Sequence, residues 1–292
     1  MMIRKVAVLG AGTMGRGIAH VAALAGLSAV LYDVTDAILQ GALKTIRANM
    51  AKAVEKGKLE SHAMDAAVSR FSVETDLAKA VKGADFVFEA VVEEVDVKKV
   101  LFKKLDALCL PEVIFASNTS ALSITELAGA TARPDRVIGT HFFNPVHLMP
   151  LVEIVRGLET SNETVEATTG LIETMKKEIV VIQDSPGFIT SRINVLIGNE
   201  AFYMLQEGIA SARDIDKALR LGLNHPMGPL ELVDLVGLDI RLNVLKDLHS
   251  RLGEKFRPCH LLDKYVKAGR LGRKVGRGVY EYENGKSKGE SS

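Results

Sequence analysis

The stretch HFFNPVHLMPLVE, residues 141–153, brings together side chains that could transfer a proton. It holds two histidines, His141 and His147, and it ends on the carboxylate of Glu153. Histidine suits acid-base chemistry because its unperturbed pKa, about 6.5, lies near neutral pH. A carboxylate on one ring nitrogen would fix the tautomer and stabilise the protonated ring. All three residues could equally be polar surface residues, so the surrounding elements have to decide between these interpretations.

The first part of the chain alternates predicted strands with stretches of helical period. Short runs rich in β-branched and aromatic residues predict strands at 5–10, 28–33, 85–91, 113–118 and 137–142. An amphipathic helix is predicted where apolar residues recur every three or four positions, at Leu39, Leu43, Ile46, Met50 and Val54. This alternation predicts a mostly parallel sheet that binds ligands at the carboxyl ends of its strands. His141 lies at such an end.

A change of pattern near residue 184 predicts a second domain. Apolar runs at 151–155 and 178–184 flank a helix-like segment, and DSPGF at 184–188 then breaks the pattern. Helical period dominates beyond it, apart from a strand-like GVYEY at 278–282. We predict an α/β fold with a Rossmann-type N-terminal domain over 1–184 and an all-α C-terminal domain over 185–292. The polar tail 283–292 is predicted to be disordered.

Composition excludes several classes of partner. The 292 residues include 37 Lys and Arg and 36 Asp and Glu, so the net charge is close to zero. Bulk charge therefore attracts neither nucleic acid nor an anionic membrane. No apolar run approaches the roughly 20 residues that span a bilayer, and the first residues enter a strand pattern without room for a signal peptide. The two cysteines, Cys109 and Cys259, lack metal-ligand spacing and are expected as free thiols in the cytoplasm. No metal site is predicted.

A glycine-rich turn after the first strand predicts a dinucleotide site. The pattern G-x-G-x-x-G follows KVAVL, opens a helix, and comprises Gly10, Ala11, Gly12, Thr13, Met14 and Gly15. In this context the glycines permit a tight turn and close approach of a pyrophosphate to the helix N-terminus. The pattern alone is weak, since a glycine turn with a helix-capping aspartate would look similar.

Asp33, 18 residues after Gly15, favours NAD as the cofactor. Its carboxylate ends the second predicted strand, where it would accept hydrogen bonds from ribose hydroxyls and repel a 2′-phosphate. The next three residues supply no arginine to bind that phosphate. FAD is disfavoured because a chain of this length shows no added flavin-specific segment.

The remaining histidines compete poorly for the role of base. His20 is expected to pack or cap on the first helix, His225 to be structural, and the others to face solvent. His141 stands at a strand end beside Phe142 and Phe143, which could exclude water, whereas His147 lies in a loop between prolines. Position therefore favours His141, with a structural role for both histidines left open.

Seven segments together resemble the 3-hydroxyacyl-CoA dehydrogenase family in its short, single-function form of the 3-hydroxybutyryl-CoA dehydrogenase type. They occur in order between residues 6 and 282 and comprise GAGTMGRGIAHVAALAG, FEAVVEEVDVKKVLF, ASNTSALSI, GTHFFNPVHLMPLVEIV, DSPGFITSRI, HPMGPLELVDLVGLD and GRLGRKVGRGVYEY. No single segment is specific, but their conjunction is. The resemblance implies oxidation of an acyl-CoA substrate with NAD.

The resemblance also implies roles for individual residues. His141 matches the catalytic base, Glu153 its carboxylate partner, and Ser120 the serine that holds the substrate's 3-oxygen beside the cofactor. Positions that line the NAD site are matched by Glu93, Lys98, Asn144 and Lys274. The coenzyme A site is matched by Asn49 and Lys56, on a segment whose composition by itself indicates only a basic amphipathic helix.

Ser191 departs from the family pattern. The family has asparagine before the arginine of GFITSRI, close to the substrate, and a serine hydroxyl is shorter and offers fewer hydrogen bonds than an amide. The substitution puts acyl-chain preference in doubt. Asn194, three residues on, is not expected to replace the family asparagine.

Alternatives to this function remain open on sequence grounds. A relative of the same fold could oxidise 3-hydroxyadipyl-CoA or a free sugar acid, and a non-catalytic NAD-binding protein could keep the fold. Assembly is also open, since the leucine stripe of a helix over 237–252 could form an intrachain core or a dimer interface. The resemblance favours a homodimer through the helical C-terminal domain.

Overall fold

The computed structural model describes residues 2–283 and 286–291. The chain divides into two compact units, Met1–Ser185 and Pro186–Ser292. The sequence places this boundary one residue earlier, between 184 and 185. Within the described residues, no helix is long and apolar enough to cross a membrane.

An eight-stranded sheet forms the centre of the first unit. Its strands are β1 (Lys5–Leu9), β2 (Ser28–Tyr32), β3 (Phe71–Glu74), β4 (Phe86–Glu89), β5 (Ile114–Ser117), β6 (Val137–Phe142), β7 (Leu151–Arg156) and β8 (Glu178–Gln183). The spatial order is β3-β2-β1-β4-β5-β6-β7-β8, and every neighbouring pair is parallel except β6 and β7. The predicted Rossmann-type, mostly parallel sheet is confirmed. Strand β3 escaped prediction because this half-buried edge strand has no apolar run.

Helices cover the sheet. They are α1 (Thr13–Leu24), α2 (Asp36–Glu55), α3 (Ser61–Ser69), α4 (Leu77–Val81), α5 (Val95–Leu108), α6 (Ile124–Ala128) and α7 (Asn162–Thr174). Side-chain caps begin three of them, α4, α6 and α7. The Ser161 side chain accepts a hydrogen bond from Thr164 N–H and so caps α7. The predicted stripe of α2 buries Leu39, Ile46 and Met50 in the core of the unit.

The second unit is helical, with one hairpin near its end. Its elements are α8 (Thr190–Gln206), α9 (Ala212–Gly222), α10 (Pro229–Val236), α11 (Leu238–Leu252), α12 (His260–Lys267), β9 (Tyr280–Glu283) and β10 (Lys286–Glu290). The prediction of a disordered tail is wrong for 286–290, which pair antiparallel with β9. Backbone pairing holds this polar strand, so it left no hydrophobic pattern to detect. Residues 284, 285 and 292 of that tail lie outside the described residues.

The leucine stripe of α11 belongs to the core of its own unit. Leu238, Leu242, Leu245 and Leu248 are at most 3% exposed and pack within one hydrophobic cluster. Of the two interpretations of these leucines, the intrachain core is therefore correct. A dimer interface, if the chain forms one, requires other residues.

Buried Asp234 of α10 holds the segment that carries Lys274. Its carboxylate accepts hydrogen bonds from Val279 N–H and Tyr280 N–H, both at 2.9 Å, and from the Tyr282 hydroxyl at 2.8 Å. Burial raises the pKa of Asp234 despite these bonds. The three donors satisfy a charge that would otherwise be costly to bury.

The loop between β6 and β7 is fastened to α1. Val146 packs against Gly17 so closely that a Cβ there would lie 2.8 Å from the valine side chain. His147 stacks on His20 of α1, with ring centroids 5.4 Å apart. Lys177 Nζ donates to the carbonyl oxygens of Val146 and Met149, at 2.5 and 2.8 Å. The loop that follows His141 is thereby held against the helix of the glycine-rich turn.

His20 is a buried histidine in this anchor. Burial, followed by the charges of His147 and Lys177, lowers the pKa of His20 from its ordinary value of 6.5 to about 4. Its ring is therefore neutral at physiological pH, in agreement with the expected packing role. In acid, the unfolded chain binds a proton here that the folded chain resists.

We predict that His20→Gln reduces the acid sensitivity of folding. The His20 pKa is lowered to about 4 in the folded chain. When the pH falls from about 7.5 to about 5, the unfolded chain therefore gains a proton at His20 that the folded chain largely does not, and the free energy of unfolding falls by about 2 kcal/mol. Urea unfolding followed by circular dichroism at both pH values measures this loss. The exposed His62→Gln serves as the matched control and should lose as much stability as the wild type. Equal losses in His20→Gln and wild type would contradict the assignment.

Candidate active site

The glycine-rich turn lies where the strand order of the sheet reverses. Strand β1 is flanked by β2 on one side and β4 on the other, and this switch point leaves a crevice at the carboxyl ends of the strands. Gly10 follows β1 with φ +96°, and a Cβ there would lie 2.5 Å from the Ala90 carbonyl oxygen. A Cβ at Gly15 would lie 1.7 Å from the Gly10 carbonyl oxygen. Only glycine fits either position.

Gly12 leaves space for a ligand at the start of α1. No atom of the described residues lies within 4 Å of the position that a Cβ of Gly12 would take. Helix α1 begins at Thr13 with neither an acidic residue in its first turn nor a side-chain cap among the described residues. Its first N–H groups and positive dipole end therefore suit a pyrophosphate.

Asp33 joins the end of β2 to the glycine-rich turn. One carboxylate oxygen accepts from Ala11 N–H at 2.7 Å, and the other accepts from Val34 N–H at 2.8 Å. A carboxylate has about four acceptor sites, so the two that remain suit the hydroxyls of a ribose. Open Gly12, the α1 terminus and Asp33 together fit the adenosine diphosphate part of NAD.

His141 and Glu153 form a buried pair across the antiparallel strands β6 and β7. They are direct register partners, so their side chains lie on the same face of the sheet. His141 Nδ1 lies 2.7 Å from a Glu153 carboxylate oxygen, and the residues are 8% and 1% exposed. An ionised carboxylate accepts a hydrogen bond from Nδ1–H, and in that tautomer of the neutral ring the free lone pair is on Nε2. This geometry would suit a general base whose ring is oriented by a carboxylate.

One cavity joins His141 to several of the other predicted residues of the first unit. It has a volume of about 350 Å³ and is lined by Met14, Ala90, Val91, Glu93, Asn118, Ser120, His141, Phe142, Phe143 and Asn144. The structure therefore brings together His141, Ser120, Glu93, Asn144 and Met14. The Phe143 ring lies 4.5 Å from the His141 ring, centroid to centroid, and shields one side of the imidazole.

A buried ion-pair network lies behind the cavity wall. Lys98 Nζ lies 2.7 Å from Glu89 and 3.1 Å from Glu93, and Lys98 and Glu89 are each 1% exposed. The other Glu89 oxygen accepts from the Ser117 hydroxyl at 2.5 Å. Sequence analysis missed Glu89, although an acid at the end of the apolar strand FVFE was a usable signal.

Glu93 connects this network to the segment that carries Ser120. One of its oxygens accepts from the Thr119 hydroxyl at 2.5 Å and from Ser120 N–H at 2.9 Å. Burial opposes the charge of Glu93, but the Lys98 ammonium and the hydrogen bonds from Thr119 and Ser120 outweigh it and lower its pKa. Glu93 is thus an ionised acceptor that orients Ser120.

Asn118 is a second residue that sequence analysis missed. Its side-chain carbonyl accepts from Phe142 N–H at 3.0 Å, and its backbone N–H donates to the Glu89 carbonyl at 2.8 Å. Asn118 therefore links the end of β5 to β4 and to β6. Its contact with β6 is at Phe142, one residue after His141. An asparagine ending a buried strand was the available signal.

The other predicted residues lie elsewhere. Lys98 is buried behind Glu93 and does not line the cavity. Asn49 lies on α2, and Lys56 is the C-cap residue of that helix. In the second unit, Ser191 is in the first turn of α8, and Lys274 Nζ lies 2.6 Å from both carboxylate oxygens of Asp239. Their contacts with ligands stay predictions. Across the described part of the chain, no cluster of three metal-binding side chains occurs.

Comparison with known proteins matches both units. Residues 5–185 match the family model described as 3-hydroxyacyl-CoA dehydrogenase, NAD binding domain, and residues 187–282 match the C-terminal domain of that family. A probable 3-hydroxybutyryl-CoA dehydrogenase of Bacillus subtilis is 48% identical over 97% of this chain and 99% of its own length. The 3-hydroxybutyryl-CoA dehydrogenase of Bradyrhizobium diazoefficiens is also 48% identical, over 98% and 97%.

A solved structure agrees over the whole fold. The crystal structure of (S)-3-hydroxybutyryl-CoA dehydrogenase from Ralstonia eutropha is 44% identical, with a TM-score of 0.94 over 97% of this chain and all of that one. The family models, the relatives and the cofactor geometry of the first unit agree. This chain is an NAD-dependent oxidoreductase that belongs to the 3-hydroxyacyl-CoA dehydrogenase family.

Proposed function

We propose that the chain catalyses the reversible oxidation of (S)-3-hydroxyacyl-CoA to 3-oxoacyl-CoA, with 3-hydroxybutyryl-CoA as a substrate. The observation that carries this proposal is the 2.7 Å contact of His141 with buried Glu153, because His141 lines one cavity together with Ser120 and with Met14 of the glycine-rich turn. The relatives named 3-hydroxybutyryl-CoA dehydrogenase support the short acyl chain.

Three side chains carry the chemistry on the protein side. Nε2 of neutral His141 accepts the proton of the 3-hydroxyl group, and Glu153 stabilises the imidazolium that forms. Ser120 donates a hydrogen bond to the 3-oxygen and fixes its position. NAD, when bound, accepts the hydride that leaves C3. In the direction of reduction, the imidazolium of His141 returns the proton to the oxygen.

The remaining predicted residues bind the cofactor and coenzyme A in this proposal. The glycine-rich turn and Asp33 hold the adenosine side of NAD, and Glu93 and Asn144 hold the nicotinamide side, with Lys98 supporting Glu93. Lys274 contributes a further contact to NAD. Asn49 on α2 and Lys56 at the C-cap of that helix bind coenzyme A. Because the net charge of the chain is only +1, the phosphates of coenzyme A need a local cation such as the Lys56 ammonium.

Removing the base should abolish turnover without removing the cofactor site. We expect His141→Ala and Glu153→Gln each to lower kcat about a hundredfold or more, because proton transfer is lost or the imidazolium is no longer stabilised. NADH consumption with acetoacetyl-CoA measures turnover, and fluorescence titration measures NADH affinity. His147→Ala is the control and should keep near-native kcat. Near-native turnover of His141→Ala would refute the assignment.

Lys98→Met should weaken NAD binding through Glu93. The substitution leaves two carboxylates without their shared cation, which costs about 3 kcal/mol of stability and frees the Ser120 segment. We expect the Kd for NADH to rise about tenfold or more, together with a lower Tm. Lys99→Met is the matched control, because the ammonium of Lys99, the next residue along the chain, forms only an exposed ion pair with Glu126. An unchanged Kd in folded Lys98→Met would contradict the role of this network.

The alternatives predict different assay results. A dehydrogenase of sugar acids would turn over free hydroxy acids faster than their CoA thioesters. A non-catalytic NAD-binding protein would bind NADH but consume none with acetoacetyl-CoA. The intact arrangement of Ser120, His141 and Glu153 argues against the second alternative.

We also propose a homodimer formed through the helical second unit. Apolar side chains lie exposed on its surface, among them Ile209, Leu221 and Leu223, which are 66%, 73% and 66% exposed. Exposed apolar side chains mark an interface where they form one contiguous patch. Light scattering at micromolar concentration should give twice the mass of the chain, and a monomer would contradict this proposal.

The two free cysteines suit a reducing cytoplasm as the place of action.

A further inference from the structure

Asn118 is a fixed side chain in the wall of the candidate active-site cavity. Its backbone N–H donates to the Glu89 carbonyl at 2.8 Å, and its side-chain oxygen accepts from Phe142 N–H at 3.0 Å. The residue is therefore held from β4 and from β6 at once, although it follows β5. A group that is fixed before a ligand arrives loses little entropy when the ligand binds.

These contacts leave the NH2 group of the Asn118 side chain for a ligand. Phe142 N–H needs an acceptor, so the amide oxygen faces β6 and the nitrogen occupies the other branch. Among the described residues, no acceptor takes an N–H of this nitrogen, and the nitrogen is not enclosed by protein atoms. Asn118 lines the same cavity as Met14 and His141. An oriented donor is thus open to whatever binds there.

Glu93 offers the opposite kind of group in the same cavity. One of its oxygens accepts from Thr119 and Ser120, whereas the other, within the described part of the chain, contacts only Lys98 Nζ, at 3.1 Å. A carboxylate oxygen has two acceptor sites, so the second oxygen keeps one of them. The cavity therefore presents a free acceptor on Glu93 and a free donor on Asn118.

The carboxamide of NAD matches this pair of groups. Its oxygen accepts hydrogen bonds and its NH2 group donates them. The cavity is lined both by Met14 of the glycine-rich turn, which suits the pyrophosphate, and by His141, the proposed base. The nicotinamide ring has to lie between these two residues, because the hydride leaves the same carbon whose hydroxyl proton His141 accepts.

We propose that Asn118 donates a hydrogen bond to the carboxamide oxygen of NAD while Glu93 accepts one from the carboxamide NH2 group. Half a turn of the nicotinamide ring would carry the carboxamide away from both residues, so the two contacts fix which face of the ring meets the substrate. This inference deepens the proposed function, since it rests on the placement of the nicotinamide beside Glu93 and His141.

The first test compares NAD with thionicotinamide adenine dinucleotide, in which sulfur replaces the carboxamide oxygen. Sulfur is a weaker hydrogen-bond acceptor, so we expect the wild-type enzyme to bind the thio analogue with a Kd about fivefold higher. Isothermal titration calorimetry without acyl-CoA measures both Kd values, so the result does not depend on turnover. Equal Kd values in the wild-type enzyme would overturn the proposal whatever any variant does.

The second test assigns this difference to the Asn118 donor. Asn118→Asp keeps an oxygen for Phe142 N–H but replaces the donor with an acceptor, so the Kd ratio of the two cofactors should fall below about twofold. The added charge acts on both cofactors and cancels in the ratio. Asn162→Asp, the same change at the exposed start of α7, is the matched control and should keep the wild-type ratio. An unchanged ratio in folded Asn118→Asp would overturn the proposal.

A third cofactor separates the two ends of the carboxamide. In 3-acetylpyridine adenine dinucleotide, a methyl group replaces the NH2 group and the carbonyl oxygen remains. The ratio of its Kd to that of NAD should be the same in wild type and in Asn118→Ala, because Asn118 contacts only the oxygen. A ratio that collapses in this variant would place Asn118 at the NH2 group and would overturn the proposal.

The outcomes separate this inference from the proposed function. If 3-hydroxybutyryl-CoA is oxidised but the wild-type enzyme binds NAD and its thio analogue equally, only the role of Asn118 is wrong. If the Kd ratios behave as expected but no 3-hydroxyacyl-CoA is oxidised, the carboxamide contact stands and the proposed substrate fails. A higher KM for acetoacetyl-CoA in Asn118→Asp, with an unchanged Kd ratio, would assign the donor to the substrate and overturn the proposal.

Discussion

The hydrogen bond between His141 and Glu153 depends on a single reversal of direction in the sheet. Strand β7 runs antiparallel to β6, whereas every other neighbouring pair of the sheet is parallel. The reversal places the two residues directly opposite each other, so their side chains meet on one face without a crossover helix between them. Because both side chains are buried, water competes weakly for the 2.7 Å contact. The proposed chemistry therefore rests on a strand register.

The rest of the cavity is built from the carboxyl ends of the adjacent parallel strands. Gly10 follows β1, Glu89 ends β4, and Asn118 follows β5, and each of these residues bonds to or packs on a neighbouring strand or its end. The Lys98 ion pairs then link Glu89 to Glu93 and so to Ser120. Groups held by strands and by buried bonds keep their positions more closely than groups on free loops. This explains how a cavity open to substrate maintains a fixed base and a fixed hydrogen-bond donor.

The sequence predicted those parts of the fold and site that leave a local pattern. The glycine-rich turn, the buried strands and the helical period of α2 are local, and they led to the switch point and to His141. Asn118, Glu89 and the His20–His147 stack make contacts between distant segments, and period and propensity do not predict such contacts. For Asn118 and Glu89, the one local signal was a polar residue at the end of a buried strand. Strand β10 was missed because backbone pairing, rather than apolar side chains, holds it.

The central claim is that Glu153 holds the Nδ1 proton of His141 and leaves Nε2 as the base. Nitrogen-15 NMR of the histidine-labelled enzyme at neutral pH tests this most directly, with the His141 signals assigned by their loss in His141→Ala. The account predicts a protonated Nδ1 and an unprotonated Nε2, and it predicts that Glu153→Gln alters this tautomer preference. A proton found on Nε2 of neutral His141, with Nδ1 unprotonated, would contradict the account.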